Sequence, residues 1–243
     1  MELDYGASLG FASVGSNAGH DGDSLDATPL ANNSEVLADF SSRAVHVASV
    51  VGKRILSSYY GQARRFSYYL GCSQGGRQGM YEALHYPEDF DGILAGAPAV
   101  NFNNLLGGIA MFAKYLGAPN RNASASYISP DLWTVVANQV LEQCDELDGV
   151  IDGIITEPDA CDFRPEELLC VDGGTEDCLS AEQVDALRRL YSPLYGLEGE
   201  FLYPRYDPGA ELSSGSPSSA LVGEYYTIAT VSNLRPDMKR YIC

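Results

Sequence analysis

The sequence predicts a doubly wound α/β fold, in which helices cover both faces of a mostly parallel sheet. Three stretches support this prediction: a helical apolar pattern over residues 35–58, a strand that runs into a helix over 66–84, and an apolar run over 92–98. Strands joined through a helix pair in parallel, because a parallel partner needs a crossover connection. We therefore expect the core sheet to be established by residue 100.

The first segment with a structural signal is short and apolar. Residues 9–16 predict a buried strand, because the apolar run leads into a polar, turn-forming loop over residues 17–22. That loop contains His20, followed by an aspartate. Neighbours in sequence rarely face one another in a loop, so we interpret this pair as a solvated turn rather than a catalytic pair.

A long amphipathic helix is predicted next, over residues 35–58. Its apolar side chains recur every three or four residues, which places them on one helical face. Asn33 or Ser34 is the expected N-cap, since either side chain can accept a hydrogen bond from the first turn. His46 falls within this helix, and we interpret it as a structural residue.

A glycine-rich turn follows the next predicted strand and carries the clearest chemical signal. Gly71, Ser73 and Gly75 form the pattern G-x-S-x-G between strand and helix. A bulky side chain at either glycine is expected to collide with the strand or the helix. Such patterns also occur by chance, but the strand and helix on either side favour a true elbow. We predict that Ser73 is a nucleophile and that the N–H of Gln74 stabilises an oxyanion.

After the sheet region the pattern changes. Residues 101–129 are rich in Gly, Asn and Ala without strand alternation, which indicates an inserted region. Two helix starts follow, one at Ser129 with a proline at the first helical position and one at the capping box that begins at Ser180. We therefore predict a partial core over residues 1–100 and a second domain over 101–243.

Three aspartates form a second group with chemical potential. Asp145, Asp148 and Asp152 are spaced by three and four residues, and Gly149 and Gly153 permit sharp turns among them. Carboxylates in such a loop, together with backbone carbonyls, can supply the six or more oxygen ligands that calcium takes. The EF-hand spacing is not met, and an acidic solvated loop is the alternative. The spacing favours calcium.

Charge and composition limit the partners of the chain. It has 243 residues, 45% of them hydrophobic, and a formal net charge of −18. Without a long apolar run, we expect a globular protein with no transmembrane segment. The negative field disfavours nucleic acid and anionic membrane surfaces, although we interpret the charge as serving solubility alone. The oligomeric state leaves no signal in the sequence.

The six cysteines indicate an oxidising compartment. Four of them lie between Cys144 and Cys178, close enough in sequence for local disulfides, and sequons at Asn32 and Asn122 agree with this compartment. Residues 1–4, however, have neither the basic nor the apolar region of a signal peptide. Either the compartment is not oxidising or the true N-terminus is missing from the sequence.

The elbow and its surroundings resemble the tannase and feruloyl esterase family of secreted, largely fungal serine esterases. The similarity rests on G-C-S-Q-G-G-R-Q-G at residues 71–79, on Y-P-E-D-F-D-G-I at 86–93 and on A-G-A-P-A at 95–99. Residues 17–20 are similar to a loop before the first long helix of that family, and residues 207–211 to part of its lid domain. The resemblance covers nearly the whole chain.

The resemblance implies an α/β-hydrolase core with an inserted lid domain, and it assigns roles to individual residues. Ser73 matches the nucleophile, and Cys72 matches a cysteine whose disulfide partner follows the catalytic histidine. The calcium ligands of the lid are matched by the carboxylates of Asp145, Asp148 and Asp152 and by the carbonyls of Val150 and Ile154. The local disulfides of the lid are matched by Cys144 with Cys161 and by Cys170 with Cys178.

The catalytic base and acid are not evident in the sequence. In this fold class both follow the nucleophile, yet the only histidine after Ser73 is His85, about three turns along the same helix. We expect the acid, the base and the partner of Cys72 to lie beyond Cys243. We also expect the loop with the second oxyanion donor to precede residue 1, which makes the chain a fragment that lacks both ends.

The function predicted is that of a secreted, calcium-stabilised serine esterase. It would hydrolyse aromatic acid esters, either feruloyl or galloyl esters of plant polysaccharides or tannins, through an acyl-enzyme. The alternative is an inactive, calcium-stabilised remnant without the triad acid and base, and a serine peptidase is less favoured. The sequence does not distinguish feruloyl from galloyl specificity, and it does not indicate how Cys243 pairs.

Overall fold

A computed structural model of the chain describes residues 2–21, 28–171, 174 and 177–212. The chain divides into two compact units, with the boundary between Phe102 and Asn103. The pairing of Cys243 lies outside the described residues. Among the helices that are described, none combines the length and the apolar character that a membrane crossing needs.

The first unit is built around a small parallel sheet. β1 (Tyr68–Cys72) and β2 (Gly92–Gly96) pair in parallel, with Leu70 opposite Leu94. α4 (Gln74–His85) connects the two strands and packs against both of them. The α/β class predicted from the sequence is therefore confirmed.

The long helix predicted over residues 35–58 is present but interrupted. α2 (Ser34–Ala38) begins after the N-cap Asn33, whose side chain accepts a hydrogen bond from the first turn. A π-helical turn at Asp39–Arg43 then leads into α3 (Ala44–Tyr60). Because a π turn takes one residue more than an α-helical turn, the side chains of α3 are rotated relative to those of an unbroken helix.

Residues 9–16 do not form the predicted buried strand. α1 (Glu2–Ser8) precedes them, and the segment itself is irregular, with Leu9, Phe11 and Val14 each more than half exposed. A strand is stabilised by hydrogen bonds to a neighbouring strand, and no described strand pairs with this segment. The prediction was wrong because an apolar run indicates a tendency to be buried but does not provide a partner.

The second unit is mainly helical and has its own apolar core. Its elements are α5 (Phe102–Tyr115, whose first residue belongs to the first unit), α6 (Pro130–Cys144), α7 (Ala181–Leu190) and the short antiparallel pair β3 (Leu194–Tyr195) and β4 (Phe201–Tyr203). Buried side chains from three helices and from the segments between them form the core, and the helices contribute Phe112, Trp133, Val140 and Leu187 among others. At about 25 cal/mol per Å² of apolar surface, burial of these large side chains is the main stabilising contribution.

Both helix starts predicted in this unit are confirmed. Ser129 accepts a hydrogen bond from the Leu132 N–H, with Pro130 at the first helical position of α6. Ser180 and Gln183 form a reciprocal capping box at the start of α7. Each cap gives a hydrogen-bond partner to amides that have none within the helix, and this contributes about 1 kcal/mol to the stability of the fold.

Two disulfides link segments of the second unit. Cys144 bonds to Cys161, with Cα atoms 5.5 Å apart, and Cys170 bonds to Cys178, with Cα atoms 5.0 Å apart. These are the two local pairings that the resemblance implies. The first spans a sequence separation of 17 residues, and in the chain-entropy description a cross-link of that span stabilises the fold by about 3 kcal/mol.

Candidate active site

Ser73 occupies a sharp turn between β1 and α4. Its backbone has φ +57° and ψ −112°, a conformation that residues other than glycine rarely adopt. Three backbone hydrogen bonds hold it there: the Ser73 N–H donates to the Gly96 carbonyl at 3.0 Å, and the Ser73 carbonyl accepts from the Arg77 N–H at 3.0 Å and from the Ala99 N–H at 3.1 Å. The residue is exposed. This is the strand–turn–helix arrangement that presents a nucleophilic serine at the end of a strand.

Glycines give the turn its space, at Gly71 as the sequence pattern predicts and also at Gly76, which the pattern does not name. A Cβ at Gly71 would lie 2.6 Å from the backbone of Gly75, and a Cβ at Gly76 would lie 2.3 Å from the Gly96 carbonyl oxygen. Neither position accepts a side chain without a backbone shift. A Cβ at Gly75 would meet only the Tyr69 hydroxyl, at an ordinary 3.5 Å. A Cβ alone is therefore tolerated at Gly75 and excluded at Gly76, and the collision of a bulkier side chain at Gly75 stays a prediction.

Gln74 is the first residue of α4, which has 12 residues. Its N–H is one of the N-terminal amides that have no partner within a helix, and the positive end of the helix dipole reinforces its effect on an anion. The Gln74 side chain is occupied separately, because its amide donates to the Phe40 carbonyl at 3.1 Å. The backbone N–H is thus a candidate donor to negative charge that develops beside Ser73.

No histidine is hydrogen-bonded to Ser73 within the described part of the chain. His85 packs against Tyr81, with ring centroids 4.1 Å apart. His46 is bonded to a carboxylate near β2, and His20 lies 3.4 Å from a carbonyl of its own loop and packs against an aromatic ring. The described residues therefore include the candidate nucleophile and the candidate oxyanion donor, but no histidine bonded to Ser73.

A polar cluster that the sequence analysis missed lies between α3, α4 and the turn before β2. His46 Nδ1 is 2.6 Å from Asp89 Oδ2, and the Lys53 ammonium donates to Asp89 Oδ1 at 3.2 Å and to the Asp89 carbonyl. Glu82 is fully buried beside them, and neither of its oxygens is hydrogen-bonded in the described part of the chain. Ligand atoms of His46, Glu82 and Asp89 all lie within 4.8 Å of one another.

The contacts within this cluster indicate a hydrogen-bonded charge cluster rather than a metal site. Ligands bound to one ion at about 2.1 Å stay about 3 Å or more apart, whereas His46 and Asp89 are in direct hydrogen-bond contact. Burial, and then repulsion by the Asp89 charge, raise the pKa of Glu82 to about 7, against the opposing effect of His46 and Lys53. Glu82 therefore retains a proton close to neutral pH.

The acidic loop of the second unit keeps its three carboxylates apart. Within the described residues, their oxygens do not form a group lying within 4.8 Å of one another. Each carboxylate instead accepts a hydrogen bond from the backbone of the loop: Asp145 from the Gly153 N–H, Asp148 from the Val150 N–H and Asp152 from the Ile154 N–H. The glycines at 149 and 153 have φ of +90° and +79°, which agrees with the prediction that they permit sharp turns.

The chemistry of this loop nevertheless fits a hard cation. All the candidate ligand atoms are oxygens, which calcium prefers. Hydrogen bonds from the Thr156 hydroxyl and the Val150 N–H hold the pKa of Asp148 below its usual value, so this carboxylate is ionised at neutral pH. The loop also lies within the chain segment whose ends are joined by the disulfide between Cys144 and Cys161.

Cys72 directly precedes Ser73 at the end of β1. Its thiol is free and the residue is exposed. An exposed thiol beside the elbow is available to a second cysteine. The disulfide that the resemblance implies for Cys72 stays a prediction.

Comparison with known proteins gives consistent matches over most of the chain. A family model described as "Tannase and feruloyl esterase" matches residues 3–234. The chain is 48% identical over 214 residues to probable feruloyl esterase B-2 of Aspergillus flavus, which covers 88% of this chain and 40% of that protein. It is 46% identical over 213 residues to probable feruloyl esterase B of Aspergillus clavatus, and this match covers 87% of this chain and 40% of that protein. The chain thus spans less than half the length of these curated relatives.

Solved structures agree with these matches. An esterase from Aspergillus oryzae has a TM-score of 0.82 at 41% identity, covering 99% of this chain and 45% of that chain. Feruloyl esterase B from the same species has a TM-score of 0.79 at 41% identity, and the match covers 95% of this chain and 46% of that chain. A tannin acyl hydrolase from Aspergillus niger shares the fold at 23% identity, with a TM-score of 0.58. That match covers 76% of this chain and 35% of the hydrolase chain.

We expect replacement of Glu82 by glutamine to flatten the pH dependence of stability. The Glu82 pKa rises from an ordinary 4.5 to about 7 on folding, so the folded chain binds this proton more tightly than the unfolded chain. The resulting stability is fully present below about pH 4.5 and is lost as the pH rises through about 7. It amounts to about 3 kcal/mol at most, and urea unfolding between pH 5 and pH 8 measures it.

The control for this measurement is Glu88→Gln, which removes an exposed carboxylate from the turn after α4. This variant should keep the wild-type slope of unfolding free energy against pH. If Glu82→Gln also keeps that slope, Glu82 is ionised in the folded chain across this range and the assignment of its proton is wrong.

Proposed function

The chain belongs to the tannase and feruloyl esterase family, and from this we propose that it forms the nucleophile-bearing part of a serine carboxylic ester hydrolase. The proposed substrates are esters of aromatic acids, either feruloyl or galloyl esters of plant polysaccharides or tannins. The observation that supports this most strongly is the geometry of Ser73, which is exposed on a strained turn in front of the N-terminus of α4.

In the proposed reaction, the Ser73 hydroxyl oxygen attacks the ester carbonyl carbon while a general base takes its proton. The carbonyl oxygen becomes an oxyanion, which accepts a hydrogen bond from the Gln74 N–H. The ester C–O bond then breaks, the alcohol leaves with the proton from the base, and an acyl-enzyme remains. Water, deprotonated by the same base, releases the aromatic acid and restores Ser73. The base, its acid and a second oxyanion donor would come from protein outside the described residues.

For the second unit we propose the role of the lid domain, with a structural calcium ion. The carboxylates of Asp145, Asp148 and Asp152 and the carbonyls of Val150 and Ile154 would hold the ion, which would neutralise their charge and cross-link the loop. Support comes from the all-oxygen donor set and from the glycine turns at 149 and 153. Calcium at this place would stabilise the second unit and take no part in bond breaking.

We further propose that the protein is secreted and that Cys72 forms a disulfide with a cysteine outside this chain. The two disulfides in the second unit support an oxidising compartment, because such bonds are rarely maintained in a reducing cytosol. A disulfide at Cys72 would fasten the residue next to the nucleophile to another part of the protein, which would limit movement of the elbow.

Replacement of Ser73 by alanine should abolish labelling by a fluorophosphonate probe and should slow hydrolysis of methyl ferulate by about 10³-fold or more. The reason is that the probe reacts only with a serine whose hydroxyl is activated by a base. The measurement uses protein expressed from the complete gene, with the labelled peptide identified by mass spectrometry. Ser58→Ala, an exposed serine of α3, should label like the wild type.

Two outcomes would contradict this assignment. Labelling that persists in Ser73→Ala would place the nucleophile elsewhere in the protein. A wild-type protein that is folded but does not label would favour the alternative function, an inactive calcium-stabilised remnant. The observation that favours this alternative is that no described histidine is bonded to Ser73.

Calcium should raise the melting temperature of the protein, and a chelator should reverse the effect. An ion that binds only the folded state stabilises it by about 2.7 kcal/mol at a hundredfold excess over its dissociation constant, which corresponds to a shift of several degrees. Asp148→Asn should lose most of this response, and the exposed Asp162→Asn should keep it. If calorimetry shows no calcium response in the wild type, the proposed structural calcium site is wrong.

A further inference from the structure

The side chain of Gln74 joins the elbow to a different helical segment. Its amide nitrogen donates to the Phe40 carbonyl at 3.1 Å, and its amide oxygen accepts from Arg77 Nε at 3.3 Å. The residue that follows Ser73 is therefore fixed through both polar atoms of its side-chain amide. Such double anchoring restricts rotation of the peptide that carries the N–H.

Arg77 completes this connection. Its two terminal nitrogens donate to the Ser41 carbonyl at 3.2 Å and to the Phe40 carbonyl at 3.3 Å. The guanidinium also lies over the rings of Phe40 and Phe102, 5.5 and 5.0 Å from their centroids. A planar guanidinium can make all of these contacts at once, whereas a lysine ammonium offers a single point of attachment.

The two accepting carbonyls belong to the π-helical turn at Asp39–Arg43. In a π turn the main-chain hydrogen bonds run from i to i+5, as the Ala44 N–H to the Asp39 carbonyl does here. This shift changes the carbonyl positions relative to an α-helix, and single π turns are frequent at functional sites. The π turn therefore has an identifiable use, because it presents the carbonyls of residues 40 and 41 to α4.

We propose that the Gln74 side chain and Arg77 are positioning residues, which hold the Gln74 N–H in the direction that the oxyanion requires by fastening the start of α4 to the π turn. This inference rests on the proposed function, since it assigns a purpose to a donor of that reaction. Neither side chain takes part in bond making. Their effect is on preorganisation, and a donor that is fixed before the reaction is worth more than one that must be ordered during it.

The test uses Gln74→Ala, Arg77→Met and the double variant in protein expressed from the complete gene. Gln74→Ala keeps the backbone N–H and loses only its anchor, and Gln78→Ala on the same helix is the matched control. The rate of fluorophosphonate labelling is measured together with its final stoichiometry, which counts the competent sites. For methyl ferulate, kcat and KM are measured separately.

The expected result is a loss of about tenfold in the labelling rate per competent site and in kcat for each single variant, with KM and the stoichiometry unchanged. Because both side chains serve one connection, the double variant should be no more than slightly slower than the slower single variant. Gln78→Ala should match the wild type, and Arg77→Lys should recover only part of the loss.

Four results would overturn the inference. If only the stoichiometry falls, the side chains maintain the fold without positioning the donor. If the losses of the single variants multiply in the double variant, the two side chains do not act together. If the wild type labels and the variants label at the same rate, the inference fails while the proposed function stands; a wild type that does not label ends both.

Discussion

The close approach of α4 to the end of β2 is the contact on which the rest of the first unit depends. Gly76 lies where any Cβ would be 2.3 Å from the Gly96 carbonyl oxygen, so the helix reaches the strand only because this residue has no side chain. That carbonyl also accepts the Ser73 N–H, and the same contact therefore sets the strained conformation of Ser73. Beneath the turn, the Tyr69 hydroxyl donates to the Gly75 carbonyl at 2.8 Å. The elbow is thus held by backbone hydrogen bonds and by the hydroxyl of one tyrosine.

Local patterns in the sequence predicted the elements that short-range chemistry determines. The elbow, both helix starts of the second unit and the parallel strands around α4 follow from glycine spacing, capping residues and apolar runs. The π turn could not be predicted, because the apolar positions continue through residues 39–43 at helical spacing and one extra residue leaves no signal in them. Residues 9–16 failed as a strand for a different reason, since pairing depends on a neighbour that the pattern does not contain. α5 lies in a segment for which the sequence indicated only the absence of a strand.

The residues of the candidate site also fall into those that the sequence predicts and those that only the packing reveals. Ser73 and the Gln74 N–H could be predicted because they are adjacent in sequence and the turn brings them to one point. The charge cluster could not, since Glu82 and Asp89 meet His46 across more than 30 residues, and only the packing of α3 against α4 shows that Glu82 is buried without a partner. The glycine requirement was predicted at Gly71, where a Cβ is excluded, but not at Gly76, because the close contact there comes from the Gly96 carbonyl on β2. In the second unit, spacing located the acidic loop, but the distances among its carboxylates depend on the conformation of the loop.

The most direct test of this account compares Gly76→Ala with Gly75→Ala by their free energies of unfolding in urea. Both substitutions place the same methyl group in the first turns of α4, where alanine is intrinsically favoured over glycine by about 1 kcal/mol. We predict that Gly75→Ala is neutral or stabilising and that Gly76→Ala loses about 2 kcal/mol or more, because its Cβ overlaps the backbone at the end of β2. A Gly76→Ala protein as stable as Gly75→Ala would show that this contact does not constrain the elbow, and the account would be contradicted.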